Sequence, residues 1–354
     1  MMKSILVIDD NVTNLKIVEK ALKGIYKPIL LTSGAQALKY LQCHVPDLIL
    51  LDLVMPDMDG FETIKKIKQI KNNANVPIIF LTATTDSEVE VQGLEYGAVD
   101  FITKPFVEKS MLSRIRMHLE LASYQNNLKE IILKKTQLVE KIQDALVNSL
   151  SDLVECRDGN TGGHVRRTAT YTGILLDALL ERKMFEEQID ENYVLNMKRA
   201  AVLHDIGKVG IADSTLLKDT CLSDGEMEYM RRHTTYGGKA LKKAISTIAE
   251  KSFLDDAMEL AYYHHEKWNG SGYPKGLKGE EIPLGARILS IADVYDALTS
   301  KRTYKEAFSH EKACEMIEKG RGIDFDSRIV TVFLEVKDLF HEELMRFNAL
   351  EKGE

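Results

Sequence analysis

Ser4-Ile5-Leu6-Val7-Ile8-Asp9-Asp10 is a short apolar run stopped by two acids. Its length and β-branched content read as a buried strand, because a buried helix needs a longer pattern. Comparable runs recur at 28–31, 48–51, 78–81 and 99–102, and helical spacing fills 12–23, 34–41 and 60–70. Alternating strand and helix predicts an α/β domain, a five-stranded parallel sheet covered on both faces. Ligands of such sheets bind beyond the carboxyl ends of the strands. Asp9 and Asp10 follow the first run there, Asp52 the third, Thr82 the fourth and Lys104-Pro105 the fifth. Three converging carboxylates repel one another, so a hard cation such as Mg²⁺ is expected between them. Any one of these residues alone would serve equally well as a helix cap or turn residue. Together, at successive strand ends, they point to a site.

The remaining composition narrows the class. A chain of 354 residues exceeds one ordinary core and should hold about two domains. A net charge of -7 disfavours a nucleic-acid partner, and no basic recognition helix supports a DNA-binding output. The four cysteines, at 43, 156, 221 and 314, form no CxxC pair and suggest reduced thiols in a cytoplasmic protein. The first apolar run is too short for a signal-peptide core, and no run approaches membrane length.

Residues 1–120 resemble the receiver domain of two-component response regulators, a flavodoxin-like fold. The resemblance rests on Val7-Ile8-Asp9-Asp10, Asn14, Asp52 with Val54-Met55-Pro56-Asp57-Met58-Asp59-Gly60, Thr82-Ala83 and Lys104-Pro105-Phe106. It implies that Asp52 accepts a phosphoryl group from a cognate histidine kinase. Asp9, Asp10 and Asp52 would hold Mg²⁺, with the Val54 carbonyl as a further ligand. Thr82 and Lys104 would bind the phosphoryl oxygens, and Phe101 stands at the switch aromatic.

Residues 121–150 contain no glycine or proline and place apolar side chains at 128, 131, 132, 138, 139, 142, 145, 146 and 150. That spacing predicts one long helix. A parallel dimeric coiled coil would transmit the receiver state, although Lys135 and Ser149 interrupt the seam. The alternative is a helix packed on its own C-terminal domain.

Beyond 150, helical patterns dominate, at 168–181, 194–204, 223–233, 236–248, 257–265, 286–298 and 310–319. An all-α domain over 151–350 is expected. Seven of the nine histidines lie in it. His164, His204, His233, His264 and His265, with Asp205 and Asp293, are too many polar groups to bury for packing alone. His310 and His341 read as surface residues. Neighbours on a helix point about 100° apart, so the adjacent pairs His204-Asp205 and His264-His265 suit more than one ion. A carboxylate such as Asp205 can bridge two metals, the arrangement that activates water against a phosphodiester. Nitrogen and oxygen donors without thiolate point to Fe or Mn. Lys208 suits a phosphate, Tyr273 is displayed on a constrained Gly/Pro loop, and Arg302 and Lys305 can share one helical face.

This half resembles the HD-GYP family of cyclic di-GMP phosphodiesterases, within the HD superfamily of metal-dependent phosphohydrolases. The resemblance rests on Arg157-Asp158, Thr161-Gly162, His164, His204-Asp205-Ile206-Gly207-Lys208, His233, His264-His265-Glu266 with Gly272-Tyr273-Pro274, Ile282-Pro283, and Asp293 through Lys305. It implies that His164, His204, Asp205, His233, His264, His265 and Asp293 are metal ligands. Asp205 and Lys208 would be catalytic, with Lys208 near the scissile phosphate. Tyr273, Arg302 and Lys305 would contact substrate. Asn160 stands where some members have a glutamate that helps hold a third metal, so two metals are expected. Asn269 stands where the family more often has aspartate.

The reading is a cytoplasmic, homodimeric response regulator whose output hydrolyses cyclic di-GMP to pGpG, and on to GMP in some members, with no membrane partner. Two rivals remain. One is a phosphodiesterase for another cyclic dinucleotide, such as 3′,3′-cGAMP; the other is a non-catalytic module acting through partners.

Overall fold

The computed structural model describes residues 2–83, 87–158, 163–218, 220–248, 250–300 and 307–351. Its contacts divide the chain into two compact units, 1–138 and 139–354. In the first, β1 (Ser4–Ile8), α1 (Val12–Leu22), β2 (Lys27–Leu31), α2 (Gly34–Leu41), β3 (Leu48–Asp52), α3 (Gly60–Gln69), β4 (Ile78–Thr82), α4 (Ser87–Glu95) and β5 (Asp100–Thr103) alternate. Every strand pair is parallel, in the order β2-β1-β3-β4-β5. This is the flavodoxin-like order, with its switch point between β1 and β3.

The continuous apolar runs follow from burial on both faces. Leu6, Ile8, Ile49, Leu51 and Phe80 pack under one layer of helices. Ile5, Val7, Leu48, Leu50, Ile79 and Leu81 pack under the other. The fifth strand begins one residue later than its apolar run, because Val99 stays 39% exposed.

α5 (Glu108–Arg157) is 50 residues long and extends beyond the expected connector at both ends. Leu128, Ile132, Leu138, Ile142, Leu146 and Leu150 on it are all exposed.

The second unit contains α6 (His164–Glu181), α7 (Glu191–Ala200), α8 (Asp213–Leu216), α9 (Asp224–Ile245), α10 (Phe253–Tyr263), α11 (Leu284–Thr299), α12 (His310–Lys319) and α13 (Ser327–Glu351). Its core centres on aromatic rings from α6, α11 and α13. Tyr171 stacks on Phe340 at 4.8 Å, and Tyr295 meets both edge-on at 5.1 Å.

Several expectations are corrected. The patterns at 223–233 and 236–248 are one helix, α9, opened by a capping box between Ser223 and Glu226. His204 and His264 lie just past their helices. A 3₁₀ turn, Ala201–Leu203, precedes His204, and Asp205 takes φ -98°, ψ 8° before a second turn, Ile206–Gly210. That bridge-region backbone, not a 100° helical offset, separates the two side chains. Gly207 is required there, since an added Cβ would lie 1.9 Å from the His233 carbonyl on α9. His310 and His341 are half-buried, with their rings tilted against each other at 4.7 Å, and His310 also bonds the Tyr295 hydroxyl at 2.8 Å.

Candidate active site

Five elements of the second unit bring the expected ligands together: the start of α6, the turns around His204, α9, the end of α10, and α11, which carries Asp293. The Asp205 carboxylate lies at the centre. Its Oδ1 faces His233 Nε2 at 3.4 Å and His264 Nε2 at 3.7 Å. Its Oδ2 faces His204 Nε2 at 3.5 Å and His164 Nε2 at 3.9 Å. Asp293 Oδ1 lies 3.5 Å from His164 Nε2. The His265 ring sits 4.0 Å from His264 and 5.2 Å from His233. Two groups of donors, His233-His264-His265 and His164-His204-Asp205, are each close enough to share an ion.

The imidazoles are oriented from behind. His204 Nδ1 donates to Ala201 O, His233 Nδ1 to Met230 O and His264 Nδ1 to Leu260 O, each at 2.8 Å. His164 Nδ1 donates to Asp296 Oδ2 at 2.7 Å. These bonds leave each Nε2 as the free donor toward Asp205, as ligating histidines require. Burial lowers the pKa of His233, His264 and His265, which keeps them neutral. Burial would raise Asp205, but the Lys208 ammonium leads the opposing charges and the carboxylate is held well below its usual range. His204 Nε2 and Asp205 Oδ1 are sealed from solvent without a hydrogen-bond partner. Orphaned buried donors of this kind, in an imidazole and carboxylate set, fit a divalent metal.

Lys208 Nζ donates to Asp205 Oδ2 at 2.8 Å and Asp158 Oδ2 at 2.7 Å. Burial would lower its pKa, but the two carboxylates outweigh that and keep it charged. Tyr273 tilts over His265 at 4.8 Å, and burial raises its pKa, so it remains a phenol that can donate. The loop that carries it is closed by buried Glu266, which accepts from the backbone N–H groups of Lys275, Gly276 and Leu277.

At the carboxyl ends of the first unit's sheet, Asp9, Asp10 and Asp52 form a third donor group. Lys104 Nζ bonds both Asp9 and Asp52 at 2.8 Å. Burial, with Asp9 nearby, raises Asp52 despite that lysine. Thr82 is buried at the end of β4, and Phe101 is buried against Phe80.

A family model described as "HD domain" matches residues 148–329. The chain belongs to the HD-domain family. A "Response regulator receiver domain" model matches residues 5–116 ahead of it. The chain is 39% identical over 352 residues to a Vibrio cholerae protein named "Probable cyclic di-GMP phosphodiesterase", covering 97% of this chain and 80% of that protein. It is 34% identical to the "Cyclic di-GMP phosphodiesterase response regulator RpfG" of Xanthomonas campestris, over 84% of this chain and 77% of that protein. The "3'3'-cGAMP-specific phosphodiesterase 2" of Vibrio cholerae is 38% identical, but over only 55% of this chain and 35% of its own length. The HD domain implies a divalent metal site, and receiver domains generally bind Mg²⁺.

The HD domain also uses residues to which the sequence reading gave no role. Asp296 accepts from Arg167 Nε at 2.6 Å as well as from His164. Its signal was a second acid three residues after Asp293 in an otherwise apolar helix. Glu155, near the end of α5, accepts from the backbone N–H of His164 at 2.5 Å. Arg157 donates to the carbonyls of Val209 at 2.6 Å and Ile211 at 2.8 Å, and to Asp213 at 2.8 Å. It thereby holds the turn that carries Lys208. Asn160, Arg302 and Lys305 lie outside the described residues.

Proposed function

We propose that the chain is a phosphorylation-regulated response regulator, with a receiver at 1–120, a helical connector at 121–150 and an HD phosphodiesterase at 151–350 that hydrolyses cyclic di-GMP. The observation that carries the reading is Asp205, whose two oxygens face separate imidazole pairs at 3.4–3.7 Å and 3.5–3.9 Å. That arrangement suits a carboxylate shared by two divalent ions, Fe or Mn by donor type. His233, His264 and His265 would serve one ion, and His164, His204 and Asp293 the other. When bound, such ions lower the pKa of a water and supply a nucleophile at neutral pH.

The chain's own residues do the rest. The backbone carbonyls and Asp296 fix the imidazole tautomers. Lys208 stays charged beside Asp205 and offsets negative charge on the phosphoryl oxygens. Tyr273 donates to substrate from the rim, with Arg302 and Lys305 as the further contacts. The water oxygen joins phosphorus, the P–O3′ bond breaks, one water proton ends on O3′ and the other passes to solvent, and linear pGpG leaves. A histidine kinase would supply the phosphoryl group for Asp52, where Lys104 and Thr82 would receive its oxygens and Phe101 would follow. The exposed stripe on α5 suits a coiled-coil homodimer. Among the described residues no helix is long and apolar enough to cross a membrane, and the four free thiols suit the cytoplasm.

Protein loaded anaerobically with Mn²⁺ or Fe²⁺ should convert cyclic di-GMP to pGpG, followed by chromatography. Intact cyclic di-GMP would overturn the reading, and faster turnover of 3′,3′-cGAMP would move the substrate to that rival. Elemental analysis should give two metals per HD domain; three would overturn the two-ion assignment.

A further inference from the structure

A cyclic dinucleotide carries two phosphodiesters in one ring. Only one can react at a time, and the other cannot leave. Lys208, beside the metal-ligand cluster, already pairs with Asp158 and Asp205. A second phosphate calls for a further cation on the rim, in addition to the Arg302 and Lys305 contacts assigned above.

α9 offers one. Arg231 precedes the ligand His233 by two residues, and its guanidinium lies over the Tyr273 ring, Cζ 5.1 Å from the centroid. The same ring tilts against His265 at 4.8 Å and meets His233 at 6.5 Å. Arg231 is therefore one aromatic ring removed from two of the expected ligands. It is exposed, and among the described residues no carboxylate pairs with it. A guanidinium held over an aromatic ring keeps N–H groups for an anion, and a planar fork suits phosphate bidentately. Arg232, the next residue, is equally exposed but lies over Tyr229 at 5.9 Å, about 100° further round the helix. It provides an internal control.

We propose that Arg231, held over Tyr273, binds the non-reacting phosphodiester of the cyclic dinucleotide and so selects a two-phosphate ligand. The assignment rests on the phosphodiesterase reading above. It makes Arg231 a substrate-binding residue with no part in the bond cleavage itself.

The test uses the full chain loaded with Mn²⁺ and two substrates: cyclic di-GMP, and bis(p-nitrophenyl) phosphate, a diester with a single phosphate. Arg231→Ala should raise KM for cyclic di-GMP about ten- to a hundredfold, the range for a charge-assisted hydrogen bond, and leave kcat within about twofold. Its kcat/KM for the small diester should stay within about twofold of wild type. Arg231→Lys should recover part of the loss, and Arg232→Ala should match wild type on both substrates. An unchanged KM for cyclic di-GMP in Arg231→Ala overturns the proposal. An equal loss on both substrates also overturns it, because Arg231 would then merely support the Tyr273 loop. Wild-type protein that cleaves the small diester but not cyclic di-GMP sinks the substrate reading itself, a result distinct from an active wild type with an unaffected Arg231→Ala.

Discussion

Asp296→Asn separates the fold of the HD domain from the tuning of its metal site. Asp296 is 1% exposed and Arg167 is 5% exposed. Arg167 donates to both carboxylate oxygens, Nε at 2.6 Å and Nη2 at 3.2 Å, and His164 Nδ1 donates at 2.7 Å. Burial would raise the pKa of Asp296, but His164 and then Arg167 outweigh it and hold it below the usual 3.8. Asparagine keeps the shape and removes the charge, which breaks this buried ion pair while Arg167 Nη2 keeps its bond to Ser300 Oγ at 3.1 Å. Breaking a buried pair in this way costs about 3–5 kcal/mol. That is a large share of a typical domain's stability of about 5–15 kcal/mol. One neutral carbonyl oxygen then serves the donors of both His164 and Arg167, and the weaker acceptor behind His164 should also weaken metal binding about 10- to 100-fold. Trp268 is the chain's single tryptophan and lies in the second unit, so its emission in a urea titration reports that unit. Chelator in the titration removes the contribution of bound metal. Competition against a chelating dye measures the affinity. The double variant Arg167→Met, Asp296→Leu should recover most of the stability, because an apolar replacement of a whole buried pair is often neutral. A single-variant loss below about 1 kcal/mol, or a double variant no better than the single, would refute the argument.

Other expectations follow from the same geometry. Gly207→Ala should destabilise the HD domain by about 1–3 kcal/mol or more and lower its metal content, since the new Cβ meets the backbone of His233 and Gly237 on α9; thermal melting and elemental analysis check both. Arg157→Ala should lower kcat on cyclic di-GMP about tenfold with metal content retained, because the turn of Lys208 loses its bonds to Arg157; unchanged kcat would show that the turn holds itself. In the receiver, burial would raise Asp100, but bonds from Arg114, the Phe101 N–H and His118 outweigh it and hold it below 3.8. A depressed carboxylate contributes stability above its unfolded pKa and loses it as pH falls through the folded value. Protection factors of the β5 amides, corrected for intrinsic exchange, should therefore fall as pH drops below about 4, and Asp100→Asn should remove that part of the pH dependence.

The sheet was legible because a parallel strand buried on both faces must be apolar throughout, so Ile5 to Ile8 and Ile78 to Leu81 can be read without knowing their partners. The expected ligands of the HD domain were legible by type, since few other roles accommodate so many buried imidazoles beside acids. Helix ends were less so. The apolar period ran through His204 and through His264-His265, while the structure stops α7 at Ala200 and α10 at Tyr263. Local periodicity records which face is buried, and a turn that stays buried keeps the same pattern. His310 and His341 misled for a related reason: their charged neighbours suggested surface, whereas packing between α12 and α13 brings the two rings together.

By itself, the sequence determined the two fold classes and the chemical types available for binding, because periodicity and donor identity are local properties. Tertiary structure alone decided which atoms meet. It set Asp205 Oδ1 against one imidazole pair and Oδ2 against another. It also put Asp296 behind His164 across 132 residues of chain and Arg231 over Tyr273. The reason is that a carboxylate's role depends on the direction of its two oxygens and on the donors around them. Those donors come from helices whose order along the chain says nothing of their angle in space.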